Sequence, residues 1–94
     1  MITLLLAALL NLLSATPPGE CPAPSEARRL TTGYANRILV DRTVEDARAC
    51  AHQLGWRFRV VRRNNCHLPR TLDLRRDRVN ATVIEGTVRY VYVG

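Results

Sequence analysis

The chain has 94 residues, 14 basic and 8 acidic for a formal net charge of +6, with three cysteines and 47% apolar residues. That length allows one small domain and leaves no room for a large catalytic cleft, so most enzyme classes are disfavoured. All 14 basic residues are arginine, which a GC-rich coding bias explains as well as any function does.

Residues 2–13 (ITLLLAALLNLL) form an apolar run shorter than the ~20 residues a membrane-spanning helix needs. Small residues at Ser14 and Ala15 and the breakers Pro17-Pro18 follow it. The stretch is not amphipathic, and it reads as a secretory signal over residues 1–15, cut near Ala15. Pro18-Gly19-Glu20 before Cys21 is not the small-residue box a lipid anchor requires, so no stable membrane anchor is expected. Secretion places the chain where disulfides persist. Three cysteines permit one bond; Cys21–Cys66 with Cys50 as a buried thiol is preferred, and Cys50–Cys66 is the alternative.

Residues 16–37 are rich in Pro, Ser, Thr and charge without a clear period, and read as a flexible N-terminal tail. Ile38-Leu39-Val40 is expected to form an edge strand or an anchoring segment. Thr43 can cap a helix whose first turn holds Glu45 and Asp46, with Asp46 answering the cap and both acids suiting the positive end of the helix dipole. Val44, Ala47, Ala51 and Leu54 then make one apolar stripe flanked by Cys50, and Gly55 permits a left-handed stop, giving a helix over about 43–54. Trp56-Arg57-Phe58-Arg59-Val60 alternates apolar with basic, the period of a strand with one buried face. Val79–Ile84 and Thr87–Val93 read as two more strands joined by a hairpin turn at Glu85-Gly86.

Asn64–Arg78 lies between these strands without a regular pattern, and loops of that length in a small domain usually carry function. Leu72 and Leu74 sit among its charges where no helix or strand would bury both, so at least one faces outward.

Other constellations have plainer explanations. Cys50, His52, Cys66 and His67 are of zinc-ligand type, but residues 50 and 52 point to nearly opposite sides of a helix and cannot share a tetrahedral ion. The histidines lack a strained nucleophile turn around any serine, so no catalytic residue, metal or cofactor is expected. Arg57, Arg59, Arg62, Arg63, Arg70, Arg75, Arg76 and Arg78 could form an anion-binding face. Few aromatics accompany them and the chain reads as secreted, so nucleic acid is not the expected partner. Asn80-Ala81-Thr82 matches a glycosylation acceptor but falls inside a strand.

Leu39-Val40-Asp41-Arg42-Thr43-Val44-Glu45-Asp46-Ala47 resembles the start of the single helix in potato type I proteinase inhibitors, the family of the barley chymotrypsin inhibitor. Thr71-Leu72-Asp73-Leu74-Arg75-Arg76-Asp77-Arg78-Val79-Asn80 resembles its binding loop and following strand, and Val91-Tyr92-Val93-Gly94 its valine-glycine ending. The resemblance spans roughly residues 38–94. Asn80, where plant members carry a second supporting arginine, resembles small secreted bacterial relatives of the family. Cys66-His67-Leu68-Pro69-Arg70-Thr71 departs from the usual glycine and hydrophobic-threonine pair.

The resemblance implies an α+β domain over 38–94, one helix packed on a small mixed sheet, with the strands flanking an extended exposed loop running parallel. It further implies a serine endopeptidase inhibitor in which Leu72–Asp73 is the reactive bond. Pro69, Arg70, Thr71 and Leu74 would be the remaining protease-contacting residues, with Thr71 and Pro69 filling the second and fourth pockets on the acyl side. Arg78, Arg75 and Asn80 would support the loop, Arg78 donating to Asp73 and to Thr71 or nearby carbonyls, Asn80 to loop backbone. A Cys66–Cys21 bond would add rigidity. Leucine at the primary position favours a partner with an apolar pocket, subtilisin-like or chymotrypsin-like. A second expectation, from another class, is a non-inhibitory secreted module that uses its arginine-rich face for an anionic partner.

Overall fold

The computed structural model describes residues 19–94; the expected signal segment and the first tail residues lie outside them. Two helices, α1 (Thr32–Leu39) and α2 (Val44–Gln53), precede four strands: β1 (Arg57–Arg63), β2 (Cys66–His67), β3 (Arg78–Ile84) and β4 (Thr87–Val93). The sheet order is β2-β1-β3-β4, with β1 and β3 parallel and the outer pairs antiparallel. This is the expected α+β class, with one helix more than expected.

Local chemistry accounts for α2. The Thr43 hydroxyl accepts from the Asp46 N–H at 3.2 Å, and Val44, Ala47, Cys50 and Ala51 are its buried face. Gly55, at φ 79°, takes the left-handed conformation after it. The hairpin turn also follows its residues: Glu85 (φ 50°) and Gly86 (φ 78°) both adopt positive φ, the geometry that matches strand twist in a two-residue turn.

α1 replaces the last part of the expected tail and takes in Ile38 and Leu39, with Val40 as its C-cap, where an edge strand or an anchoring segment was expected. Thr31 caps it, accepting from the Tyr34 N–H at 3.1 Å, and Ala35 and Leu39, four residues apart, are fully buried. Gly33 weakens this helix by about 1 kcal/mol relative to alanine, so packing rather than propensity holds it. The packing partner is β4. Asn36 donates to the Val91 carbonyl at 2.8 Å and accepts from the Val91 N–H at 3.1 Å, while the Thr32 hydroxyl accepts from Val93 N–H at 3.0 Å. Farther along, Asp41 N–H donates to Val88 O and Val88 N–H to Arg42 O, both at 2.9 Å. The outer edge of β4 is thereby satisfied without a fifth long strand.

Val79, Ala81 and Val83 alternate along β3 toward the helices and meet Val88, Val91, Leu39, Ala47 and Ala51 in the core. The segment before α1 is strapped down. Cys21 is bonded to Cys50, across a sequence separation of 29, and Cys66 is a free, exposed thiol. Both expected pairings, Cys21–Cys66 and Cys50–Cys66, are therefore corrected. Cys50 lies on the face of α2 over which the strap passes, and Gln53 holds Pro22 O at 3.2 Å beside it. The buried Arg42 bonds Ile38 O, Asp46 and Gly19 O, tying strap, α1 and α2 together.

Candidate functional site: a loop braced from beneath

Both ends of the loop are anchored to β1. Leu68 N–H donates to Val61 O at 3.0 Å, and Arg57 N–H donates to Asp77 O at 2.7 Å. Pro69 to Asp77 are all exposed between these anchors, Leu72 and Leu74 being 95% and 90% exposed. β2 takes Cys66 and His67 out of the expected irregular stretch and pairs them with Arg63 and Arg62.

Beneath the loop, pairing places Arg59 of β1 beside Asn80 of β3, and Asn80 beside Tyr92 of β4. This row lies on the sheet face opposite the helices, yet Asn80 is fully buried, enclosed by Arg59, Tyr92 and Gly94. This fold has no room for a glycan on a side chain so enclosed. The Asn80 amide donates to Tyr92 O at 3.2 Å and to Gly94 O at 2.9 Å, and its carbonyl accepts from Arg59 Nε. Asn80 thus has no direct bond to loop backbone, which corrects the expected contact. Its shorter side chain stays at the sheet and orients a neighbour that reaches farther.

That neighbour is Arg59. Its Nη1 donates to the Thr71 hydroxyl at 3.0 Å and to the Thr71 carbonyl at 3.4 Å. Arg78, nearly buried, donates Nη2 to the Asp73 carbonyl at 2.7 Å and Nε to Gly94 O at 2.9 Å, while its Nη1 lies 3.5 Å from the Asp73 carboxylate. Arg75 Nε is 3.3 Å from the same carboxylate. Within the loop Arg78 therefore serves Asp73, through its carbonyl and its carboxylate, while Thr71, the other acceptor named for it, is served by Arg59. Arg70 donates to the Tyr92 hydroxyl at 2.6 Å.

Leu72 accordingly stands between two residues each held by a guanidinium from a different strand, with its own side chain in solvent. The local electrostatics favour the ionised acceptor. The Thr71 hydroxyl, then the charge of Arg78 and the bond from Arg75, hold the Asp73 carboxyl at about 2, below its ordinary 3.8.

Arg59 and Tyr92 are the contributors that the sequence pattern does not single out. Arg59 reads as one polar position of an alternating strand; only the register to β3 sets it beside Asn80. Most of the arginine-rich stretch turns out to face protein acceptors. Besides the loop braces, Arg57 pairs with Asp77 at 3.4 Å and Arg62 donates to Asn64 O at 3.2 Å. Cys50 is engaged in the disulfide, His52 is exposed on α2, and Cys66 and His67 are exposed on β2. Among the described residues, no group of three or more His, Cys, Asp or Glu is placed to hold a metal ion.

No family model, no curated protein and no solved structure matches this chain.

Proposed function

We propose that this chain is a secreted inhibitor of serine endopeptidases, acting through a substrate-like loop with Leu72–Asp73 as the reactive bond. The observation that carries the reading is the exposed Leu72 flanked by two arginine-held neighbours, Thr71 and Asp73. An extended loop held by its own fold loses little conformational entropy on docking, so more of its contact energy appears as affinity. Bracing on both sides of the bond also keeps the new amine beside the acyl group after attack. Religation then competes with hydrolysis, and the enzyme stays occupied.

Leu72 suits an apolar primary pocket and disfavours trypsin-like enzymes, whose pocket takes a cation. Thr71 and Pro69 would meet the second and fourth pockets on the acyl side, and Leu74 the region beyond the bond. Arg59 and Asn80 together would supply the support that a second arginine on β3 gives in the family this chain resembles. The role is inhibitory, and it calls for no catalytic residue or cofactor in this chain.

Stoichiometric titration tests the proposal. The protein without residues 1–15 should abolish subtilisin activity at a one-to-one ratio, and slow cleavage should map to Leu72–Asp73. Absence of inhibition across subtilisin-like and chymotrypsin-like enzymes would reject the reading.

A further inference from the structure

We infer that the hollow at the start of α1 binds a tetrahedral oxyanion, a phosphate or sulfate group, at a site separate from the loop. Arg28, Arg29 and Arg37 line one depression of about 400 Å³ together with Thr31, Gly33 and Tyr34. All three are exposed, and guanidinium groups gathered on one concave surface create a positive local field that draws an anion. Among the described residues, none of the three forms an ion pair, and Glu26, two positions before Arg28, supplies none. This separates them from Arg57, Arg59, Arg70, Arg75 and Arg78, which are engaged with acceptors in the protein.

The floor of the hollow suits the same ligand. The first turn of α1 holds no acidic side chain, and the N–H groups of Thr32 and Gly33 have no acceptor within the helix. The Thr31 hydroxyl already accepts from Tyr34 N–H, so its own proton is free to donate outward. Nothing lies within 4 Å of where a Gly33 Cβ would stand, so the approach to the first turn is open. The arginines supply charge and forked donors that match an oxyanion bidentately. The helix start supplements them.

Such a group could arrive as a free ion or on a polymer, and the two arms of one experiment separate these. Trp56 is the sole tryptophan, and Tyr34, which lines the hollow, meets its ring edge-on at 5.9 Å. Trp56 fluorescence and the Gly33 amide resonance are followed while inorganic phosphate or polyphosphate is added at constant ionic strength, balanced with sodium chloride.

Saturable changes in either arm are expected. Equal affinity per phosphate assigns the free ion, and at least tenfold tighter binding of the polymer assigns the polymeric source. The combined variant Arg28→Gln, Arg29→Gln, Arg37→Gln should weaken binding at least tenfold, while Arg76→Gln, on the loop, should leave it unchanged. Retained binding in the triple variant, or no saturable Gly33 shift in either arm, would overturn the assignment. The triple variant should titrate subtilisin as the parent protein does, so this outcome is independent of the inhibitor reading.

Discussion

Asp73 is the acceptor on which the far side of the loop converges, and its ionisation gives the bracing a pH dependence of known sign. The folded carboxyl is held at about 2 against an ordinary 3.8, so the charged form is the one the loop favours. Its contribution is complete above 3.8 and is lost as pH falls toward 2. A carboxyl-carbon NMR titration should place Asp73 near 2, and local amide exchange around Leu72 should accelerate only as that value is approached. At Thr71 the controlling side chain is Arg59. Its charge-assisted bond is of a kind worth about 1.5–3 kcal/mol where shielded, and less at an exposed loop. Arg59→Met should therefore raise subtilisin cleavage at Leu72–Asp73 roughly tenfold, with the thermal midpoint nearly unchanged. Arg78→Ala should raise cleavage further, because it removes the bond to the Asp73 carbonyl and also leaves Gly94 O without one of its donors. Equal resistance of the parent and both variants in a timed digest would contradict the bracing.

Among the elements, α1 owes its existence to β4. Its 8 residues contain Gly33 and too few turns to stand alone, even with Thr31 as a cap. What holds it is burial of Ala35 and Leu39 and the reciprocal bonds of Asn36 to Val91. Asn36→Ala would leave a donor and an acceptor of an edge strand unmatched, at a cost of about 1–3 kcal/mol. Urea unfolding should register that loss, and Val91 amide protection should fall with it. The strap before α1 depends on the Cys21–Cys50 bond. Closing a loop across a separation of 29 removes enough unfolded-state entropy to stabilise by about 3–4 kcal/mol. Cys21→Ala with Cys50→Ala should lower stability by about that amount in calorimetry, while Cys66→Ser, a change at a free exposed thiol, should not.

At the scale of the whole molecule, two polar surfaces have different occupations. The sheet face opposite the helices is spent on the loop, through Arg59, Asn80 and Tyr92, whereas Arg28, Arg29 and Arg37 have no counter-charge among the described residues. The proposed inhibition therefore resides in one loop on a rigid scaffold and should be redirected by one side chain. Leu72→Lys should weaken inhibition of subtilisin and create measurable inhibition of trypsin, read as paired inhibition constants at unchanged thermal stability. Loss of both inhibitions would place the specificity elsewhere on the surface.

The α+β class, the bounds of α2, the hairpin at Glu85-Gly86 and the outward placement of at least one of Leu72 and Leu74 were readable in the linear chain. Each is governed by chemistry within a few residues: a cap, a period, a turn that requires positive φ, apolar side chains stranded among charges. α1, the partner of Cys50 and the route from Asn80 through Arg59 to Thr71 were not. They depend on which distant segments meet, and shifting the β1–β3 pairing by one residue would turn Arg59 to the other face of the sheet. Arg78 and Arg75 were expected on the loop, and tertiary packing alone decided that Arg59 braces Thr71.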